Sequence, residues 1–154
     1  MKVALASDHA GVSLKIKLTE ALSARDVLFH DFGPSTDEPV DYPDYAAHVA
    51  ESVAARKFDR GILICGTGIG MAIAANKIPG IRAATITRPD EARLCREHND
   101  VNVLTLGARH ISVEQALTIV EVFLETPFQG GRHRRRVDKI SALEVSVLDD
   151  AIDE

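Results

Sequence analysis

Residues 61–77 run from Gly61 through Ile62, Leu63, Ile64 and Cys65 into a loop of alternating glycines, Gly66, Gly68 and Gly70, and on into an alanine-rich segment. Alternating glycines let a backbone turn sharply and aim several N–H groups at one point, and a helix behind them adds the positive end of its dipole. Such a loop receives an anion or a developing oxyanion. Cys65 closes the strand in front of it, where the same partial positive charge favours thiolate over thiol. Thr67 adds a hydroxyl within the loop. A thiolate beside an oxyanion cradle suits removal of a carbon-bound proton next to a carbonyl, with loop amides holding the enediolate oxygen. The plainer reading of Cys65 is a buried spacer at a strand end, and on these residues alone both readings stand.

The spacing rejects three familiar phosphate chemistries at one position. The third glycine of G-x-G-x-x-G counted from Gly66 is Met71, and counted from Gly68 it is Ile73. The nucleotide-triphosphate loop needs a Gly-Lys pair where the chain has Met71-Ala72. A cysteine phosphatase needs an arginine six residues after its nucleophile, and that residue is again Met71. Proton transfer therefore fits Cys65 better than phosphoryl transfer. Cationic residues lie elsewhere, in Arg132 to Arg136 after Gly130-Gly131. Arginines at a helix start oppose the helix dipole, so stability does not account for them, whereas an anionic ligand does. Arg132 and Arg136 share one helix face and can fork onto a phosphate, the alternative being a solvated basic patch. His98, near the end of the segment Pro89 to Asn99, has the ordinary role of favouring a helix dipole. His9 stands beside Asp8, which can orient it.

These residues need a frame, and the chain supplies short apolar runs alternating with amphipathic segments, the pattern of βα units in a parallel sheet. Strands are expected at 2–7, 27–31, 61–65, 82–86 and 101–106. Helical spacing links Leu14, Leu18, Ala21 and Leu22, then Ala46, Val49, Ala50 and Val53, and most clearly Val113, Ala116, Leu117, Val120, Phe123 and Leu124. A further helix is expected over 134–149, added beyond a complete five-strand unit and so available to pack on a second subunit. The last residues are acidic and lie at the negative end of that helix, where they should fray. Ligands of open parallel sheets bind outside the carboxyl ends of the strands. That rule gathers Asp8, His9, Cys65, Thr67, Thr87, Arg88 and the turn from Gly107 to Arg109 at one edge.

Composition narrows the class. At 154 residues the chain fits one domain over its whole length, with a core of its own. A net charge of −5 argues against whole-surface attraction to nucleic acid or anionic membrane, so anion binding must be local. No stretch reaches the roughly 18 apolar residues of a membrane span, and no signal-peptide pattern opens the chain, which makes the cytoplasm the expected compartment. Two cysteines without CxxC or zinc-ligand spacing predict neither a structural disulfide nor a metal site, and Cys95 reads as a small packed residue.

Taken together, Ser7-Asp8-His9-Ala10-Gly11, Asp41-Tyr42-Pro43, Ile64 to Gly70, Ala74-Ala75-Asn76-Lys77, His98-Asn99-Asp100, Gly107-Ala108-Arg109 and Gly130-Gly131-Arg132-His133 resemble, in order and over nearly the whole chain, the type B ribose-5-phosphate isomerases and their galactose- and allose-6-phosphate relatives. The resemblance implies a three-layer α/β/α sandwich with a five-stranded parallel sheet, and a homodimer, able to pair into a tetramer, whose sites use both subunits. It implies an aldose-ketose isomerase that works without cofactor or metal on a phosphosugar. Cys65 would be the base, His98 would assist ring opening, and Thr67 would help move protons among substrate oxygens. Gly66, Gly68, Ile69 and Gly70 belong to the loop that would hold the enediolate. Asp8, His9 and Asn99 would contact the sugar, Tyr42 would line its ring, and Arg109, Arg132 and Arg136 would bind phosphate. One branch of the family replaces the cysteine with a glutamate placed in the loop; here Cys65 is kept and Ile69 stands at the matching place. His98-Asn99 favours the ribose branch. A different phosphosugar, or a non-catalytic binding module, is the alternative.

Overall fold

The structure is a computed structural model that describes residues 1–150, with side chains as far as Val145. Five strands, β1 (Lys2–Ser7), β2 (Leu28–Asp31), β3 (Arg60–Cys65), β4 (Ala83–Thr85) and β5 (Val103–Gly107), alternate with helices α1 (Val12–Ala24), α2 (Tyr42–Ala54), α3 (Ile69–Ala75), α4 (Pro89–Asn99) and α5 (Val113–Glu125), and α6 (Arg132–Asp150) follows. All strand pairs are parallel, in the order β2-β1-β3-β5-β4.

The central strands are apolar at nearly every position because helices cover both faces. Val3, Leu5, Ile62, Ile64, Leu104 and Leu106 point to one side, where Leu14, Leu18 and Leu22 of α1, Ala92 and Cys95 of α4 and Ile119 and Phe123 of α5 pack. Ala4, Ala6, Leu63, Cys65 and Val103 point to the other, against Ala46, Val49 and Ala50 of α2 and Met71 and Ala75 of α3. This is the expected three-layer α/β/α sandwich. The register sets Cys65 opposite Gly107 and Ser7 opposite Ile64, so the ends of β1, β3 and β5 finish together at one edge.

Element ends differ from the expectation where caps intervene. The Val27 N–H turns back to the Leu22 carbonyl at 3.0 Å, which keeps it out of β2. Val101 does the same to Cys95 at 3.1 Å behind Asp100 in the left-handed conformation, which delays β5 to Val103. Helix α6 begins two residues early, at Arg132, because His133 and Val137 form a buried stripe that docks its first turns. The acidic end expected to fray lies largely outside the described residues. A half-buried ion pair escaped the pattern altogether: Lys15 Nζ, on the covered face of α1, donates to Asp31 Oδ1 at 2.6 Å and to the Pro34 carbonyl at 2.7 Å.

Candidate active site

The loop after β3 is built as its glycines require. Gly68 has φ +78°, and a Cβ there would lie 2.9 Å from the Leu106 carbonyl carbon, so only glycine fits without strain. The Gly68 N–H donates to Cys65 Sγ at 3.1 Å and the Ile69 N–H to Thr67 Oγ1 at 3.2 Å. The Cys65 carbonyl accepts from Ala108 at 2.8 Å and the Gly66 carbonyl from Arg109 at 3.1 Å, which pins the loop to the end of β5. Helix α3, only seven residues long, leaves the Gly70 and Met71 N–H groups without carbonyls four residues back in the helix, facing the loop end. The cradle consists chiefly of loop amides.

Neighbouring residues close on this loop. The absent side chain of Gly66 makes room for the Arg109 guanidinium, whose Cζ sits 3.1 Å from where a Cβ would stand. The absent side chain of Gly70 makes room for Tyr42, whose ring carbon Cζ would be 2.6 Å from such a Cβ. Asp8, buried, accepts from the N–H groups of Ala10 at 2.9 Å and Gly11 at 3.2 Å through Oδ1. His9 Nδ1 accepts the Val40 N–H at 3.2 Å, which leaves Nε2 as the atom available to a ligand. Asp8, His9, Tyr42, Cys65, Gly66, Thr67, Gly68, Ile69, Gly70 and Arg109 thus share the carboxyl edge of the sheet.

His98, Asn99, Arg132 and Arg136 do not join them. Helix α4 runs back from β4, so its last turn lies at the amino edge, where the Asn99 carbonyl accepts from Arg82 Nε at 3.1 Å just before β4. His98 stacks on His133 of α6, ring centroids 4.2 Å apart and planes 13° from parallel. Arg132 and Arg136 share that helix turn. The length of β5, five residues at about 3.3 Å each, puts roughly 16 Å between the two groups. Within one chain the expected site residues therefore fall into two separate groups. His133, stacked on His98, was given no role by sequence reasoning, although it stands in the Gly130-Gly131-Arg132-His133 motif and between two arginines.

Both thiols are free and buried. Burial pushes Cys95 up to about 11, its Sγ donating to the Ala92 carbonyl at 3.2 Å, as a packing residue would. His133 is held below its ordinary value by burial first, then by the charges of His98, Arg132 and Arg136. An apolar recess of about 420 Å³ between α1 and α5 holds none of these residues and lies at the amino edge, away from the thiol.

A parallel α/β sandwich presenting a thiol, a bed of amides and an arginine at its carboxyl edge belongs among the enzymes of small anionic substrates. The chain belongs to the ribose/galactose isomerase family, whose sequence profile matches residues 3–140. It is 47% identical over 143 residues to ribose-5-phosphate isomerase B of Escherichia coli, covering 93% of this chain and 96% of that protein. Its fold superposes on the solved ribose-5-phosphate isomerase B of Clostridium thermocellum with a TM-score of 0.94 at 50% identity, covering 96% of this chain and 99% of that one. The Mycoplasma genitalium enzyme, solved with bound ribulose 5-phosphate, gives 0.90 at 43% identity over 93% of this chain and 95% of that one.

Proposed function

We propose that this protein interconverts D-ribose 5-phosphate and D-ribulose 5-phosphate. The observation that carries the reading is Cys65 Sγ held 3.1 Å from the Gly68 N–H on a glycine loop overlain by Arg109, in a chain of the ribose/galactose isomerase family. Ring opening comes first: the proton of the C1 hydroxyl leaves, the bond from C1 to the ring oxygen breaks, and that oxygen gains a proton, with His98 as the group that relays it. The Cys65 thiolate then takes the proton from C2, and negative charge collects on O1, where the Gly66 to Gly70 amides meet it. Thr67 helps pass the O2 proton to O1. Cys65 returns its proton to C1, leaving a carbonyl at C2 and a free thiolate. Asp8, His9 and Asn99 orient the hydroxyls, Tyr42 flanks the ring, and Arg109, Arg132 and Arg136 hold the phosphate. No step calls for a metal or cofactor.

The two groups require two chains. With Cys65 and His98 at opposite edges of one sheet, we assign each active site to a homodimer in which the second subunit supplies His98, Asn99, Arg132 and Arg136. The means of assembly is at hand: Ile69 and Ile73 on α3 and Ile140 and Val145 on α6 are exposed apolar side chains, unusual cargo for free surface. Helix α6, lying outside the complete five-strand unit, is then an interface element. A tetramer would be a dimer of such dimers.

Conversion of ribose 5-phosphate by purified protein in chelator, wild type against Cys65→Ala, tests the reading. The expected result is chelator-resistant activity that falls about 100- to 10,000-fold in the variant. Activity on allose 6-phosphate or a tetrose phosphate alone would move the substrate, and an equally active variant would remove Cys65 as base.

A further inference from the structure

The stacked pair His98 and His133 contains one ring with an assigned task and one without. His98 sits in the last turn of α4 and His133 in the first turn of α6. Among the described residues neither imidazole has a side-chain hydrogen bond, and the two rings lie flat on one another, 4.2 Å between centroids and 13° between planes, which fixes the plane of His98 against that of His133. A general acid-base group needs its ring plane fixed to within about 10–20° to relay a proton along one direction. In many enzymes a carboxylate does this through a hydrogen bond to the second ring nitrogen. Here the nearby carboxylate of Glu97 makes no such bond, and the flat face of His133 takes the place of an orienting partner.

The choice of imidazole at position 133 is not what packing alone would select. His133 and Val137 form the buried stripe that docks α6 on α4, a position where leucine would bury more apolar surface without desolvating two nitrogens. Moreover His133 lies between Arg132 and Arg136, faces His98 and Glu97 from α4, and is disfavoured as a cation by burial, by His98 and by both arginines, with only Glu97 opposing. Burial and these neighbouring charges therefore bias the His133 ring toward its neutral form. A neutral ring can lie flat against an imidazolium without repelling it, which a second cation cannot.

We propose that His133 is a positioning residue for this reaction: its ring, stacked on His98, fixes the direction in which His98 relays the proton of ring opening. This rests on the assignment of His98 made above, and the test separates the two. The experiment is a double-mutant cycle on the full-length protein with His133→Ala, His98→Ala and the pair, together with His133→Phe, reading kcat and KM for ribose 5-phosphate and kcat against pH. Misorienting an acid-base group is expected to lower kcat about 10- to 100-fold in His133→Ala. Little further loss should appear when His133→Ala is added to His98→Ala, because the positioned group is already gone. His133→Phe keeps the flat face and should recover most of kcat, its acid limb shifted because a titrating neighbour has been removed. Additive losses in the cycle, or no recovery with phenylalanine in a variant whose circular dichroism is native, would overturn the proposal. Unchanged activity in His98→Ala would instead overturn the earlier assignment, and with it this one.

Discussion

At the residue scale, the chemistry turns on which side chains are absent as much as on which are present. Gly66 and Gly70 are vacancies filled by Arg109 and by the Tyr42 ring. Gly70→Ala would drive a methyl into that ring, so displacement of Tyr42 should raise KM several-fold while leaving the fold intact, which steady-state kinetics and a melting curve together can check. Gly68→Ala is a different kind of change, forcing a left-handed residue against the backbone of Leu106, and should cost about 2 kcal/mol of stability in denaturant unfolding. The two thiols should also part company. Cys95, pushed up to about 11, stays a neutral, buried thiol at pH 8, so iodoacetamide should label Cys65 alone and ribose 5-phosphate should slow it, as mass spectrometry of the peptides would show. The cysteine and its glycines were legible in the sequence because they are contiguous and obey a backbone logic. Gly66's partner was not, since nothing in residue spacing says that Arg109, 43 positions on, folds over it; only the register of Cys65 with Gly107 does.

At the scale of elements, the five strands and the amphipathic helices were readable from period alone, and the misjudged ends are those where a cap outweighs the apolar pattern, as at Val27 and Val101. The Lys15–Asp31 pair was unreadable because a lysine at a helical core position looks like an interruption of the stripe until its partner on β2 is known. Helix α6 was expected from its period, yet what docks its start is a histidine. Because His133 is held below its ordinary value of 6.5, the folded protein binds fewer protons there than the unfolded chain, so this contribution to stability is present above about pH 6.5 and fades as pH falls below it. The melting temperature of wild type should consequently fall more between pH 7 and pH 5 than that of His133→Phe. Equal slopes would show that docking of α6 does not depend on the protonation of that ring.

For the whole molecule, the direction of chain travel decides which candidate residues share an edge of the sheet. Right-handed βα units return each helix to the amino edge, so a residue at the end of α4 cannot reach the end of β3, however close the two stand in a motif pattern. The fold thereby sets the two groups of candidate residues at opposite edges of the sheet, and in the proposed homodimer a second copy related by two-fold symmetry would bring the edges together twice. Residue spacing alone does not distinguish a site within a chain from one between chains; the family resemblance implied sharing between subunits, and placing the strands puts Cys65 and His98 at opposite edges of one sheet. The apolar side chains of α3 and α6 follow from the same arrangement, and Ile73→Asp should yield a monomer with little isomerase activity, seen by sedimentation and assay together. The most direct measurement mixes two inactive proteins, Cys65→Ala and His98→Ala, unfolded and refolded at equal concentration, and follows conversion of ribose 5-phosphate. If each site takes Cys65 from one chain and His98 from the other, half the dimers are mixed and one of their two sites is intact, so about a quarter of wild-type activity returns. A mixture no more active than its components would contradict the shared site.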